Sequence, residues 1–560
     1  MKKFLYNIAA ICSAALLTIP FAGCQETESD LVSFVDDNKL NTPNDTVYSL
    51  MGIISKMQVV ADRTIILGEI RGELTALTEN ASLDLQEIAN FTAGTDNPYN
   101  NARDYYAIIQ NCNYFIANAD TALTKRGRKV FENEMAAIKT YRAWTYLQLA
   151  MNYGSVPFFT DPILYEKNAD PDLYPHYDVK QIADFFIKDL APYVDTDYPN
   201  YGSVNSLDSR QFYIPVRVML GDLCLWAERY REAAKYYHDF LTKQSDPHPL
   251  GIGNVQWTSF DFQEIMDSYA THFTSQFLSD LLTIIPMETS EYDGIMSDLQ
   301  DVFNSTSDNN YFYQATHSKA YDELSQAQQY VLVYTDPVTL LPDTICATDT
   351  IHYDSDQQKG DLRQYSIFKL RNNASASTSF SSIRQTCYKY SSDNVALYRV
   401  QHVYLRFAEA LNRAGFPQAA FAVLKYGLWK DNIEKYISQK ERDEAGDLLS
   451  FSEYTFTREN TSGIHSRGCG DANADTTYVI PQLPTKNDSI NFVETKICDE
   501  MALETAAEGL RYYDLMRIAM HRNDPAFLAS KVAARDGANH FNSELYSKLS
   551  DNKNWYLPLQ

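Results

Sequence analysis

Basic residues and tryptophan are scarce in this chain. Its 560 residues include 48 Lys and Arg against 73 Asp and Glu, a net charge of −25. Because a nucleic-acid backbone attracts basic surfaces, this balance argues against a nucleic-acid-binding protein and favours a neutral or weakly charged partner. Only 5 tryptophans accompany 40 tyrosines, and the 45% of hydrophobic residues is typical of a folded globular protein.

Signatures of common catalytic and metal sites are missing from the sequence. It has no His-Glu-x-x-His pattern, no Gly-x-Ser-x-Gly elbow, no phosphate-binding loop and no complete dinucleotide fingerprint. Asp354-Ser-Asp356 followed by Gly360-Asp361 is similar to a calcium loop, but Lys359 stands where that loop needs glycine. A solvated acidic loop is therefore favoured there, with a structural calcium ion as the alternative and no other cofactor predicted.

Three glutamates recur at four-residue spacing near the end of the chain: Glu500, Glu504 and Glu508, beside Arg511 and Arg517. Paired carboxylates across a cleft can hydrolyse glycosidic bonds, and the sequence alone leaves that possibility open. The spacing on one helix face favours an ion-paired scaffold helix instead.

The first 23 residues are typical of an export signal. Lys2 and Lys3 precede an apolar stretch that ends in Phe21-Ala-Gly-Cys24. This ending resembles a bacterial lipobox, so we predict lipidation of Cys24, with plain secretion as the alternative. Residues 24–46 are polar and predicted to form a linker, and no later run of about 18 apolar residues predicts a membrane span.

The remaining cysteines are scattered along the chain. No Cys-x-x-Cys pair occurs, which argues against a zinc site or a dense disulfide framework. We expect mostly buried thiols, with a bridge between Cys346 and Cys387 as the one pairing considered.

Helical periodicity dominates both ends of the chain. Apolar residues from Thr46 to about Leu77 recur at spacings of three and four residues, and Tyr105–Ala119 and Val130–Met151 repeat the pattern. Two segments fit tetratricopeptide-type helix pairs, with small residues twelve apart. They are residues 217–240, with Gly221 and Ala233, and residues 403–424, with Ala408 and Ala420. We predict a mainly α-helical scaffold built jointly from residues 47–245 and 394–560.

The middle of the chain, residues 246–393, is predicted to be a loop-rich insertion with minor β-structure, such as Tyr330–Tyr334. Long loops on a rigid frame often carry binding residues. Sugar binding needs aromatic ring faces and planar polar groups. The candidates are Tyr99, Asn100, Asn101 and Arg103 in a turn before the insertion, and Trp257, Tyr292, Tyr311 and Tyr313 within it. Burial against neighbouring helices is the alternative for each.

Four ordered segments resemble the motifs of the SusD/RagB family of outer-membrane nutrient-binding lipoproteins from the Bacteroidetes. They are Lys139-Thr-Tyr-Arg-Ala-Trp-Thr-Tyr-Leu-Gln-Leu-Ala-Met-Asn-Tyr-Gly-Ser-Val-Pro157, Leu405-Arg-Phe-Ala-Glu-Ala-Leu411, Glu508-Gly-Leu-Arg-Tyr-Tyr-Asp-Leu-Met-Arg517 and Trp555-Tyr-Leu-Pro558. The chain departs from the family at Met501, where arginine is frequent, and at Ile518, where tryptophan commonly follows the last arginine.

The resemblance implies a SusD-like scaffold and a non-catalytic, surface-exposed lipoprotein anchored in the outer membrane. Such a protein forms a hinged lid on a SusC-like TonB-dependent transporter, captures glycan and delivers it for import. The alternatives are a RagB-like subunit that captures peptides and, from another class, a surface glycoside hydrolase. The matching motifs belong to the scaffold, so no binding residue is transferred from the family.

Overall fold

The computed structural model describes residue 40 and residues 43–559, except residues 244, 252, 260, 263, 271–272, 274–279, 291–293, 348–350, 354–355 and 374–381. Cys24, Tyr292 and Asp354 therefore lie outside the described residues.

Helices form the two ends of the chain. The N-terminal helices are α1 (Pro43–Glu69), α2 (Leu83–Ala89), α3 (Ala102–Asn118), α4 (Glu132–Tyr153), α5 (Val179–Leu190), α6 (Val216–Trp226) and α7 (Tyr230–Leu241). Short helices in the middle are α8 (Leu299–Phe303), α9 (Lys319–Gln326) and α10 (Arg363–Ile367). The C-terminal helices are α11 (Val400–Arg413), α12 (Pro417–Lys425), α13 (Lys430–Tyr436), α14 (Gln439–Ala445), α15 (Ser466–Cys469), α16 (Lys486–Thr505), α17 (Arg511–Arg522), α18 (Pro525–Ala533) and α19 (Ser543–Leu549). The mainly α-helical fold class is confirmed.

The strands are short and pair in antiparallel twos. The pairs are β1 (Thr75–Leu77) with β11 (Ala315–His317), β2 (Thr124–Lys125) with β3 (Arg128–Lys129), β4 (Val156–Pro157) with β5 (His176–Tyr177), β6 (Ser203–Val204) with β7 (Leu207–Asp208), β8 (Val255–Trp257) with β9 (Ile265–Asp267), β10 (Leu281–Ile285) with β18 (Val395–Arg399), β12 (Tyr330–Thr335) with β13 (Pro342–Ala347), β14 (Ile351–Tyr353) with β15 (Asp356–Gln358), and β16 (Phe368–Asn373) with β17 (Ser382–Cys387). Most lie in the predicted insertion, including the β-prone piece that becomes β12.

The two predicted helix pairs are present as α6 with α7 and α11 with α12, and α7 also packs on α11. Gly221 allows the first close approach, because a Cβ atom there would lie 2.7 Å from Cδ1 of Tyr237. Ala408 and Ala420 are fully buried in the second pair. The side chain of Asp222 on α6 accepts hydrogen bonds from Tyr237 at 2.6 Å and from Arg406 on α11 at 2.6 Å. Both ends of the sequence therefore contribute to one scaffold.

Two sequence-based helix boundaries were wrong. The periodic pattern predicted to reach Leu77 stops at Glu69, because the chain turns there and residues 75–77 pair with β11. The three glutamates Glu500, Glu504 and Glu508 do not share one helix as predicted, since α16 ends at Thr505 and α17 begins at Arg511. Ala507 and Gly509 adopt positive φ angles of 62° and 73° between them, which a helix cannot accommodate.

The cysteines of the described residues are free thiols. Cys346 is exposed on β13, whereas Cys387 is buried at the end of β17, so the bridge considered between them is absent. The other four, Cys112, Cys224, Cys469 and Cys498, are buried, as expected from the sequence.

Candidate functional site

Tyr99 lies half-buried on the turn between α2 and α3, as the turn cluster predicted. The side chain of Asn97 fixes this turn: its Oδ1 accepts the N–H of Tyr99 at 3.0 Å, and its Nδ2 donates to the carbonyl of Asp84 at 3.0 Å. Burial raises the pKa of Tyr99 to about 12, with a further contribution from Asp298, Asp84 and Asp62. Tyr99 is therefore a neutral ring with a hydroxyl, held in an acidic neighbourhood.

A second loop, residues 304–314, carries three consecutive aromatic residues. Tyr311 is 41% exposed and Phe312 57% exposed, and Tyr313 is half-buried. The guanidinium carbon of Arg384 lies 3.8 Å from the ring centroid of Tyr311, which is close cation–π contact on one ring face. Tyr311 keeps 41% of its surface exposed beside this contact, so the residue can still touch a ligand.

The aromatic loop is held rigidly in an uncommon backbone conformation. Tyr311 has a φ of +66°, a region that aromatic residues rarely adopt. Its N–H donates to the carbonyl of Thr306 at 2.7 Å, and the Asn309 side chain donates to the carbonyls of Asp301 and Asn304 at 3.1 and 2.7 Å. Strained residues that are fixed in this way concentrate at ligand sites, where rigidity lowers the entropy lost on binding.

Hydrogen bonds join each of the two loops to the segment that begins helix α2. The Thr78 hydroxyl donates to the carbonyl of Tyr313 at 2.7 Å, and the N–H of Ser82, which caps α2, donates to Oε1 of Gln314 at 3.0 Å. Because α2 also receives the Asn97 bond, the turn and the aromatic loop are braced against the same short helix. We call the surface made by residues 94–101 and 304–314 the tyrosine face. Tyr99, Tyr311 and Tyr313 of the predicted set belong to these two segments.

Helix α1 supports this face through Asp62. The carboxylate of Asp62 accepts the hydroxyl of Ser297 at 2.7 Å and the N–H of Asp298 at 2.6 Å. Burial raises the pKa of Asp62 to about 6, against the opposing effect of these two hydrogen bonds. Asp62 therefore fixes the segment that enters α8 and carries Asp298 beside Tyr99.

The polar residues predicted around Tyr99 have different surroundings. Asn100 is fully buried, and its Nδ2 donates to the carbonyls of Gly94 at 2.9 Å and Pro558 at 3.1 Å. Asn101 caps α3 by accepting the N–H of Arg103 at 3.1 Å. Arg103 is exposed at the start of that helix. Asn100 and Asn101 thus order the chain around the tyrosine face, and Arg103 remains a candidate ligand contact.

Trp257 lies away from the tyrosine face, in the interior of the protein. It is 1% exposed, packs edge-on against Phe262 with centroids 5.9 Å apart, and donates its backbone N–H to the Tyr330 hydroxyl at 2.7 Å. This placement corresponds to the packing alternative. Sequence reasoning missed Phe312, Arg384 and Asp298; of these, the run of three aromatics that contains Phe312 was a readable signal.

The only group of potential metal ligands among the described residues is Asp361, His465 and Cys469, whose ligand atoms lie within 4.8 Å of one another. Arg363 donates to both carboxylate oxygens of Asp361, at 3.0 and 2.6 Å. Glu500 bonds to Nδ1 of His465, and burial raises the pKa of the Cys469 thiol well above its ordinary value. A guanidinium inside the cluster and a protonated thiol oppose cation binding, and Asp361 is engaged away from the calcium-like loop considered for it.

The three glutamates near the end of the chain are ion-paired, as the scaffold interpretation predicted, but with partners from distant segments. Glu504 accepts Arg363 and Arg467 at 3.1 Å each, and Glu508 accepts Arg399 at 2.6 Å. All are buried, and each carboxylate lies in contact with a cation. Such pairing holds the carboxylates ionised in the interior, where they join the insertion to the scaffold.

The whole fold is similar to that of SusD superfamily proteins. One from Bacteroides vulgatus matches with a TM-score of 0.58 and 13% identity, over 92% of this chain and 96% of its own. A SusD homolog from Bacteroides thetaiotaomicron matches with a TM-score of 0.56 and 14% identity, over 91% and 93%. A SusD-like carbohydrate binding protein from Bacteroides vulgatus matches with a TM-score of 0.53 and 15% identity, over 85% of this chain and 84% of its own.

Neither a protein-family model nor a curated protein sequence matches this chain. The SusD-like fold that the sequence motifs implied is confirmed by the structural matches. Within the described part of the chain, no helix combines the length and apolar character that a membrane crossing requires.

Proposed function

We propose that this protein is a non-catalytic glycan-binding lipoprotein that captures oligosaccharide or polysaccharide on its tyrosine face. The observation that carries this proposal is the rigid presentation of Tyr311, whose ring contacts the Arg384 guanidinium while 41% of the residue stays exposed. A pyranose or furanose ring packs its apolar side on such an aromatic face, while its hydroxyls bond to neighbouring polar groups.

The fold supports the same function. A solved structure with this fold is described as a SusD-like carbohydrate binding protein. The acidic residues beside Tyr99 favour an uncharged ligand over an anionic one, because Asp62, Asp84 and Asp298 surround that ring. A neutral glycan can pack on the aromatic rings and is not repelled by the neighbouring carboxylates.

The wider role extends from the binding site to the membrane. In this proposal Cys24 carries acyl chains that hold the protein on the extracellular face of the outer membrane. There it acts as a lid that delivers glycan to a SusC-like TonB-dependent transporter. Two or more acyl chains make such an anchor essentially permanent. Mass spectrometry of the mature protein tests the anchor: an acylated Cys24 is expected, and an unmodified amino terminus would contradict it.

Binding without turnover is tested with purified mature protein and a panel of neutral polysaccharides, namely amylopectin, levan, galactomannan, arabinoxylan and β-glucan. Native electrophoresis in gels that contain each polysaccharide measures binding, and mass spectrometry of the incubated mixture detects hydrolysis. We expect retardation by at least one polysaccharide and no shortened products. Product release would favour the glycoside hydrolase alternative, and affinity for peptides alone would favour peptide capture.

The role beside a transporter is tested by purification from membranes. Detergent extracts are expected to yield this chain together with a large β-barrel protein. Recovery of this chain only as a free, soluble monomer would contradict its proposed role as a lid on a transporter.

A further inference from the structure

A cleft of about 820 Å³ lies between the β6–β7 hairpin, the end of α7 and the start of β10. We call it the hairpin cleft. Its volume falls within the range of small-molecule sites, about 300–1,000 Å³. Asn205 and Ser206 connect the two strands of the hairpin, and both have positive φ angles, as in the tight type I′ turn that suits a twisted hairpin. The wall that carries the turn is therefore well defined.

The floor of the hairpin cleft is formed by rings and aliphatic side chains. Phe240 and His248 stack with centroids 4.7 Å apart and planes 14° apart, and Tyr198 and Leu281 also line the cleft. Burial lowers the pKa of His248, despite the opposing charge of Asp246, so its ring is neutral at pH 7. Phe240 is only 6% exposed and the stack covers one face of each ring, so the half-buried Tyr198 and Leu281 provide most of the uncharged apolar surface that a sugar ring can contact.

The rim of the cleft is polar and carries several hydrogen-bonding groups. Asn200, Ser203 and Gln211 line it, and Gln211 also donates to the carbonyl of Leu281 at 3.3 Å. Asp208 and Arg210 pair across the rim, with Nε of Arg210 at 3.1 and 3.0 Å from the two carboxylate oxygens. These two charges compensate each other, and Asp246, which also lines the cleft, adds one carboxylate, so the rim suits an uncharged polar ligand better than an anion.

We propose that the hairpin cleft is a second glycan-binding site, which holds a neutral oligosaccharide segment with its ring faces on the floor and its hydroxyls on the rim. This inference rests on the proposed function for the class of ligand. It adds a place of binding that is separate from the tyrosine face and built from different elements.

The separation of the two sites follows from β10. Leu281, at the start of β10, lines the hairpin cleft, and Pro286, just past its end, accepts a hydrogen bond from Gln58 of α1 at 2.6 Å. Five residues of strand span about 17 Å. Asp62, which braces the tyrosine face, lies one helical turn beyond Gln58. Two sites at such a separation can hold one polysaccharide chain, and binding at one raises the effective concentration at the other.

The test fills the cleft. Ser203→Trp places a large ring at an exposed strand position that lines it, and Thr124→Trp on the exposed β2–β3 hairpin is the matched control. The probes are the polysaccharide of the panel that retards the wild-type protein most and its hexasaccharide. Ser203→Trp is expected to weaken polysaccharide binding roughly tenfold or more, because avidity is lost, while Thr124→Trp leaves it unchanged.

Calorimetry with the hexasaccharide gives a second readout. We expect two sites per wild-type molecule and one per Ser203→Trp molecule. Arg210→Ala, a smaller change on the same rim, is expected to weaken binding in the same direction, so a folding defect of the tryptophan variant cannot decide the outcome.

Equal polysaccharide affinity of Ser203→Trp and Thr124→Trp would overturn the second site alone. A wild-type protein that binds no polysaccharide would overturn the proposed function and this inference together.

Discussion

Removing the guanidinium of Arg511 is expected to destabilise the fold strongly. Nε of Arg511 lies 3.0 Å from each carboxylate oxygen of Glu73, and its NH1 group donates to the carbonyl of Cys498 at 2.8 Å. The two side chains are 1% and 5% exposed. Arg511→Met leaves the Glu73 carboxylate buried without its cation, which costs about 3–5 kcal/mol of the free energy of unfolding.

The double variant Arg511→Met/Glu73→Leu is expected to recover most of this loss, because a buried ion pair that is replaced by apolar side chains is often nearly neutral. Arg210→Met is the matched control. It breaks the exposed pair with Asp208, whose side chains are 57% and 40% exposed, and should cost no more than about 1 kcal/mol. Urea unfolding monitored by fluorescence measures all three variants.

The pH dependence gives the same experiment a second readout. Burial alone raises the pKa of Glu73, but chiefly the Arg511 guanidinium holds that pKa below its ordinary value of 4.5. The native pair therefore contributes stability that is present above about pH 4.5 and lost as the pH falls. In Arg511→Met the guanidinium is gone and chiefly the weaker effect of Lys531 opposes burial, so the carboxyl takes up a proton more readily and the penalty shrinks at low pH. A penalty below about 1 kcal/mol, or one equal at pH 4.5 and pH 7, would refute the reasoning.

Three further predictions concern packing and the support of the tyrosine face. Gly221→Ala should cost about 1–3 kcal/mol in thermal unfolding, because its Cβ meets the Tyr237 ring, and an unchanged melting temperature would contradict this close approach. Asp62, with its native pKa of about 6, stays protonated in the folded protein at pH values where the unfolded chain has already ionised it, so its own contribution to stability should fall from pH 4 to pH 6. The stability of the wild-type protein relative to Asp62→Asn should therefore decrease over this range in pH-dependent melts, and a difference that does not change with pH counts against it. Trp257→Ala should cost about 3–5 kcal/mol of stability and leave glycan affinity unchanged in calorimetry, whereas lost affinity at normal stability would make Trp257 a ligand contact.

Local patterns in the sequence were sufficient to predict the helix pairs. The spacing of Gly221 and Ala233, and of Ala408 and Ala420, reflects close contact within each pair. Because the two helices of a pair are adjacent in sequence, this contact requires small residues only twelve positions apart, which can be recognised locally. The sequence predicted that both pairs belong to one scaffold, and the packing of α7 on α11 joins them in the structure. The hydrogen bonds from Arg406 and Tyr237 to Asp222 join those elements, but nothing near Asp222 in the sequence indicates them.

Contacts between distant residues could not be predicted in this way. Spacing identified Glu504 as part of an ion-paired helix, but its cations come from Arg363 and Arg467, far from it in the chain. The break after Thr505 was missed because Ala506 and Ala507 favour helix locally, whereas the turn there is held by a distant residue: Oε1 of Glu69 accepts the N–H groups of Glu508 at 3.1 Å and Gly509 at 2.9 Å.

Only part of the candidate site was predicted, because it too depends on contacts between distant residues. Tyr99 and Tyr311 were found as aromatics on loops, but composition does not distinguish a buried ring from an exposed one. Trp257 had the residue type of a sugar contact and lies in the core, while the braces at Asn97, Asn309 and Asp62 depend on contacts between separate loops.

The central claim, that glycan binds on the tyrosine face, is tested most directly by calorimetric titration of the bound oligosaccharide into Tyr311→Ala. The control is Tyr454→Ala, which removes a ring that is 95% exposed on another loop. We expect Tyr311→Ala to bind the oligosaccharide roughly tenfold or more weakly than the wild-type protein at unchanged thermal stability, and Tyr454→Ala to bind it like the wild-type protein. Equal affinities of the two variants would contradict it.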